Sequence, residues 1–130
     1  MITIYIQTYI LFLNFRTPIG DRIERQAIEQ LFGTAEKKIF LSSTKGHTGH
    51  LLGGAGALES IFTILACNDS ICPGTLNFQA SDEDFDHLRS SIQIIGHQQH
   101  IPWKDHKRIA LKNSFGFGGT NSCLVFSNLF

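Results

Sequence analysis

Residues 43–56 run Ser43-Thr44-Lys45-Gly46-His47-Thr48-Gly49-His50-Leu51-Leu52-Gly53-Gly54-Ala55-Gly56. Just before them, Lys38 to Ser43 (KIFLSS) is a short apolar run that predicts a strand. Just after, Leu58, Ile61, Phe62 and Leu65 recur at helical spacing and predict a helix from about His50 to Cys67. The small residues at the start of that helix imply close packing on another backbone. A strand-to-helix junction puts side chains into a crevice beside a helix N-terminus, where backbone N–H groups favour negative charge. Lys45 and His50 at such a place suit the stabilisation of an enolate or an oxyanion. His50 can exchange a proton near neutrality or hydrogen-bond a carbonyl as neutral imidazole. A capped turn with an incidental lysine explains the same residues, and chemistry alone leaves both readings open.

Towards the N-terminus, Thr17-Pro18 reads as a helix start. Thr17 caps, Pro18 takes the first helical position, and Asp21 and Glu24 lie near the positive end of the dipole. Ile23, Ala27, Ile28 and Leu31 continue the helical spacing up to Gly33. Towards the C-terminus, Pro73-Gly74 marks a turn and residues 80–90 a polar surface connection. Ile92 to Ile95 predicts a short strand, and residues 96–107, rich in His and Lys, an exposed loop. Arg108 to Lys112 and Ser122 to Phe126 read as strands around a second glycine turn at residues 113–121. Helix, strand, helix and three strands suit a mixed α/β layered domain.

The second turn reads Asn113-Ser114-Phe115-Gly116-Phe117-Gly118-Gly119-Thr120-Asn121. Its glycines imply backbone angles or close approaches that side chains forbid. A glycine-flanked Phe117 can swing as a gate, and an exposed N–H there can serve an oxyanion hole. The competing reading is a tight β-turn with buried rings. A phosphate-binding loop is excluded, because no Gly-x-x-x-x-Gly-Lys-Ser/Thr run exists. His47 with His50, and His97 with His100, have zinc-like spacing but no nearby cysteine or acidic ligand in sequence, so no metal site is expected.

Composition sets the remaining bounds. The chain has 130 residues, 42% hydrophobic and 17% charged, enough for one globular core. Eleven basic residues balance eleven acidic ones, so nothing points to nucleic acid. Eleven phenylalanines suit a packed core or a lipid-lined tunnel, the core being the expectation. Cys67, Cys72 and Cys123 are odd in number and unpaired in spacing, which argues for a reducing compartment; Cys67 and Cys123 are expected as core thiols. Residues 1–16 stand apart. Met1 to Phe15 (MITIYIQTYILFLNF) carries no charge, is short for a membrane span, and lacks the basic residues of a targeting signal. Its residues (Ile, Tyr, Phe, Leu, Asn) are of types mostly specified by AT-rich codons, which favours translated intron or a gene-model artefact; a buried β-strand is the alternative, since Ile and Tyr favour strands.

Taken together, these segments resemble the elongating β-ketoacyl-acyl-carrier-protein synthases of the thiolase-like fold, over residues 17–130 and their C-terminal part. Four blocks carry the resemblance: Thr17 to Asp21, Ser43 to Ala57, Pro73 to Asn77 and Asn113 to Asn121. The second and fourth are highly specific, and Ser-Ser-Thr-Lys-Gly with Thr-Leu-Asn is most similar to the mitochondrial and bacterial type II enzymes. The resemblance implies the C-terminal half of a layered αβαβα fold, incomplete here. It also implies a decarboxylative Claisen condensation. A cysteine takes the acyl chain, two histidines hold the malonyl thioester carbonyl, and carbon dioxide leaves. His50 matches the second histidine and Lys45 the lysine that organises the site. Glu59 and Asp21 match acidic positions of the polar network, Phe117 the gate and oxyanion residue, and Thr17 a pantetheine-channel threonine. Asn113 and Glu59 are expected near a monovalent cation that some members bind; no cofactor is otherwise required. The expected partner is acyl carrier protein, the full-length enzyme is expected as a homodimer without a membrane span, and the mitochondrion is the expected location, the cytoplasm the alternative.

The departures are as informative. No cysteine of this chain aligns with the nucleophile. Leu13 stands where the first histidine belongs, and Phe15 where the other channel threonine belongs. Tyr9-Ile10 coincides with a Tyr-Ile pair of the family, but close agreement begins at Thr17. The chain alone is therefore expected to be inactive and, severed from a partner half, poorly soluble or molten. The alternative is a non-catalytic module docking on a full-length synthase or on acyl carrier protein, with Lys104, Lys107 and Arg108 as its basic face.

Overall fold

The structure, a computed structural model, describes residues 2–5, 11–12, 18–78, 91–97 and 99–128. Thr17, Leu13, Phe15 and the connection at 80–90 lie outside them. The elements are β1 (Ile2–Tyr5), β2 (Leu11–Phe12), α1 (Pro18–Phe32), β3 (Ile39–Leu41), α2 (Lys45–Thr48), α3 (Ala55–Asp69), β4 (Ile71–Cys72), β5 (Ile92–Ile94), β6 (Ile101–Pro102), β7 (Ile109–Phe115) and β8 (Asn121–Ser127). Short 3-10 turns cover Leu52–Gly54 and Phe117–Gly119.

Strand alternation builds the layers. Successive side chains of a strand point to opposite faces. Ile39 and Leu41 of β3 accordingly join Ile28 of α1, Ile92 and Leu111 in one buried cluster. Phe40, between them, joins Ala66 and Cys67 of α3, Ile95, Trp103 and Ala110 in the other. Helix α1 thus covers one face of the strands and α3 the other. β3 and β5 pair in parallel, with Ile39 opposite Ile92, and α3 lies in the crossover between them. β8 pairs antiparallel with β7 along seven residues, from Ile109 opposite Ser127 to Phe115 opposite Asn121. β1 pairs antiparallel with β7 and lies beside β3. No helix among the described residues is long and apolar enough to cross a membrane.

Several expectations need correction. The second helix starts at Ala55 rather than His50: Gly49, at φ +70°, ends the one-turn α2, and Leu52 at φ +49° keeps the next residues out of helix. Helical spacing was right, but the apolar stripe is not the buried one. On α1 the buried positions are Glu24 and Ile28, while Ile23 and Leu31 are exposed. On α3 they are Ala55, Glu59, Thr63, Ala66 and Cys67, while Ile61, Ile64 and Leu65 are exposed. Residues 96–107 are not uniformly exposed, because Trp103 is only 1% accessible, its backbone N–H donating to Ser70 O at 2.7 Å. Withdrawing an indole outweighs the polarity of its neighbours. Cys67 and Cys72 are buried thiols, whereas Cys123 is exposed on β8.

Candidate active site at the Lys45 turn

The end of β3 is anchored before it delivers Lys45. Ile95 N–H donates to Leu41 O at 2.8 Å, and Thr75 N–H to Ile95 O at 2.9 Å. Ser43 N–H donates to Thr75 Oγ1 at 3.0 Å, and Lys45 N–H to Ser43 Oγ at 3.3 Å. The 73–77 segment thereby becomes the floor of the turn. At Gly46 a side chain has no room: a Cβ would sit 2.7 Å from Leu76 O and 2.8 Å from Leu76 Cβ.

Lys45 is buried and its Nζ lies 3.8 Å from Oε1 of Glu59, one turn into α3. Burial pushes the Lys45 ammonium below its ordinary value; the charges of Glu59 and Glu24 oppose that shift without cancelling it. Burial likewise pushes Glu59 up against the pull of Lys45 and Lys112. Thr63 Oγ1 donates to Glu59 O at 2.7 Å, tying the residue's backbone to the next turn. His50 is exposed in the loop beyond α2. Desolvation, then the Lys45 charge, holds its pKa below 6.5, so the imidazole is neutral at pH 7. A neutral imidazole beside an ammonium can give a hydrogen bond to a developing oxyanion.

The other expected residues divide. Asp21 lies half-buried in the first turn of α1. Phe117 is fully exposed in the second turn, where Gly118 and Gly119 take φ of +77° and +80°, so its ring is not buried as a simple β-turn reading requires. Gly116 N–H closes that turn on Thr120 O at 2.7 Å. Asn113 is not brought to Glu59. It lines a groove with Ala27, Ile28 and Leu31 on the α1 face, whereas Glu59 approaches from α3. Strand alternation separates the two side chains. Among the described residues no three His, Cys, Asp or Glu gather as metal ligands. Arg108, expected on a basic docking face, turns inward: its Nε donates to Cys67 O at 2.5 Å and Nη1 to Asp105 O at 3.0 Å.

Two charged residues of this region were missed as site residues. Glu24, read as a dipole partner, is 2% exposed and acts on Lys45. Its signal was position, since it shares the buried stripe with Ile28 four residues on. Lys112, read only as the end of a strand, is also 2% exposed.

The layers and the turn fit the C-terminal part of a thiolase-like fold. The family model described as Beta-ketoacyl synthase, C-terminal domain, matches residues 9–79, and the chain belongs to that family. It is 43% identical over 119 residues to the mitochondrial 3-oxoacyl-[acyl-carrier-protein] synthase of Arabidopsis thaliana, covering 87% of this chain and 23% of that protein. It is 44% identical over 107 residues to 3-oxoacyl-[acyl-carrier-protein] synthase 2 of Rhizobium meliloti, covering 82% and 24%. Among solved structures, the ketosynthase from module 6 of the bacillaene synthase from Bacillus subtilis matches with a TM-score of 0.80 and 28% identity, over 95% of this chain and 23% of that one. The chain therefore spans about a quarter of the length of the relatives it matches. The family match reaches from residue 9 into the uncharged stretch.

Proposed function

We propose that residues 17–130 supply the Lys45–His50 part of a 3-oxoacyl-acyl-carrier-protein synthase of fatty acid biosynthesis. The observation that carries this reading is the buried Lys45–Glu59 pair at 3.8 Å, five residues before an exposed histidine whose pKa is depressed. Carbon dioxide leaves malonyl thioester and its bond electrons form the enolate; His50, neutral, donates a hydrogen bond to the carbonyl oxygen that gains charge. Lys45 sets the local potential, with Glu59 and Asp21 as its polar surroundings. Phe117 gates the channel and offers its backbone N–H to the second oxyanion, and Thr17 lines the pantetheine channel. The nucleophilic cysteine is contributed by sequence other than these residues. Cys67 and Cys72 are buried with raised pKa values, Cys67 at about 12, so neither offers a thiolate near neutrality.

Substrates in this reading are acyl and malonyl thioesters of acyl carrier protein, and the complete enzyme is a homodimer. The exposed apolar face of α3 (Ile61, Ile64, Leu65) supports a covering half. The mitochondrion is the proposed location, because the relative from Arabidopsis thaliana is mitochondrial. Glu59 and Asn113 lie on opposite faces of the sheet, which does not suit one monovalent cation held between them.

A chimera tests the reading. Residues 17–130 replace the corresponding quarter of the Rhizobium meliloti relative, and condensation of acyl and malonyl carrier-protein thioesters is assayed. Activity that His50→Ala abolishes is the expected result; a folded but inactive chimera would overturn it. The 130-residue chain alone, incubated with acyl carrier-protein thioester, forms no acyl-enzyme; a covalent adduct on any of its cysteines refutes that part.

A further inference from the structure

The parallel ladder between β3 and β5 ends in an unusual way. Its last rung is Ile95 N–H donating to Leu41 O at 2.8 Å. In a parallel pair, a residue that donates to one position accepts from the position two further along the partner strand. The next rung would therefore run from Ser43 N–H to Ile95 O. Thr75 supplies a partner for both ends of that rung. Its backbone N–H donates to Ile95 O at 2.9 Å, and its Oγ1 accepts Ser43 N–H at 3.0 Å. Thr75 and Ser43 are both buried, so the hydroxyl replaces a carbonyl where water has little access.

The chain of hydrogen bonds continues to the site. Ser43 Oγ accepts Lys45 N–H at 3.3 Å, and Lys45 is the first residue of α2. An N–H in the first turn of a helix has no partner within the helix, and Thr44 makes no side-chain cap bond there. The side chain of Ser43 takes that place. Thr75 is itself fixed from three sides. Its carbonyl accepts Phe78 N–H at 3.4 Å. Before it, a Cβ on Gly74 would run into the backbone oxygens of Gly96 and Gln99; after it, Leu76 lies against Gly46. Thr75 and Leu76 thus hold the chain on both sides of Lys45, at residues 43 and 46.

We propose that Thr75 is a positioning residue of the Lys45 site: its hydroxyl, standing in for a ladder carbonyl, sets through Ser43 the backbone position from which Lys45 reaches Glu59. This rests on the reading of Lys45 as a site residue. Threonine is specified because the position needs a backbone donor and a side-chain acceptor on one residue. Valine has the same shape without the acceptor, and serine keeps the acceptor without the methyl group.

The test is an NMR titration of the lysine side chains in the 130-residue chain labelled with ¹³C-lysine. Burial holds the Lys45 ammonium below 10.5, against the charges of Glu59 and Glu24, so a lysine displaced towards solvent titrates closer to 10.5. In Thr75→Val the Lys45 midpoint moves up from the parent value, and in Thr75→Ser it stays with the parent. A residue that only packs would lower the urea midpoint without moving this titration, so an unchanged Lys45 midpoint in Thr75→Val overturns the proposal. An equal rise in Thr75→Ser assigns the effect to the methyl group and also overturns it. Should Thr75→Val not fold, Ser43→Ala breaks the second link instead; the Lys45 midpoint rises there too, and an unchanged value overturns the proposal. No substrate is present, so failure of the ketosynthase reading leaves this result untouched.

Discussion

Lys45 Nζ and Glu59 Oε1 stand 3.8 Å apart with both side chains about nine-tenths buried, yet each is shifted towards its neutral form. Burial outweighs attraction for both partners. Such a pair contributes little net stability but is costly to break on one side, by about 3–5 kcal/mol. Lys45→Met and Glu59→Gln should each lower the urea midpoint markedly. Lys45→Met with Glu59→Gln should cost less than their sum. A double-mutant cycle of urea denaturation curves checks this; strict additivity would show that the two groups do not interact.

Gly46 is the steric lock of the same turn. Gly46→Ala drives a methyl against the Leu76 backbone at 2.7 Å, so either the turn or the 73–77 segment must shift. The expected cost is about 1–3 kcal/mol. Lys45 also leaves its place beside Glu59, and the depressed pKa of His50 relaxes towards 6.5 as the neighbouring charge recedes. An NMR titration of His50 reads the second effect independently of stability.

The pattern of the chain revealed the elements better than their faces. β3, β5, β7 and β8 are short apolar alternations, and each formed where expected to within a few residues. The Lys45 turn was visible because five glycines follow the lysine between positions 46 and 56. What could not be read was which stripe of each helix is buried. A large Ile or Leu on α1 or α3 signals burial somewhere, and in these helices that is a face left open in this chain. The inward stripes carry Glu24, Glu59 and Thr63 beside small residues, because they meet Lys45 and a closely packed strand. Trp103 was hidden for the opposite reason: Ile101, Pro102 and Trp103 are a three-residue apolar interruption of a polar stretch. The separation of Asn113 from Glu59 follows from which strand face α3 covers, and nothing in residues 113–121 states that.

Trp103 makes this last burial measurable. It is the single tryptophan and 1% exposed, so native emission should be blue-shifted and move to the red on unfolding. Trp103→Ala should cost about 3–5 kcal/mol. Emission already at the solvent-exposed wavelength without denaturant would place the indole outside the core.

The three cysteines should differ sharply in reactivity. Cys67 and Cys72 are buried with thiols held protonated, whereas Cys123 is exposed on β8. A thiol reagent at pH 8 should modify Cys123 alone in the native chain and all three in urea. Burial also raises the Cys123 thiol, with Lys112 opposing, so its rate should fall below that of a free thiol and fall further in Lys112→Met. Mass spectrometry of the modified peptides distinguishes the sites.

The pH dependence of stability follows from the same buried groups, and its sign on the acid side is unusual for a carboxylate. The folded pKa of Glu59 lies above its unfolded value of 4.5. Between those two values the folded chain holds a proton that the unfolded chain has released, so this group's contribution is complete below 4.5 and is lost as pH rises through the folded value. Lys45 and Lys112 have folded values below 10.5; their contribution is present above 10.5 and is lost as pH falls through the folded values. Cys67 opposes the alkaline gain, because its contribution is present below 9.0 and is lost as pH rises to about 12; Cys72 acts in the same direction. The acid limb is therefore the cleaner one. His50, depressed below 6.5, loses its contribution as pH falls through its folded value, which opposes Glu59 near neutrality and is removed by comparing variants that both retain it. On acidification towards pH 4.5 the parent should gain stability relative to Glu59→Gln, which has no carboxylate to protonate. Urea midpoints of the two proteins measured across that range check it: a lead of the parent that widens towards pH 4.5 supports the raised pKa, and parallel curves would mean that Glu59 titrates alike in the folded and unfolded chain.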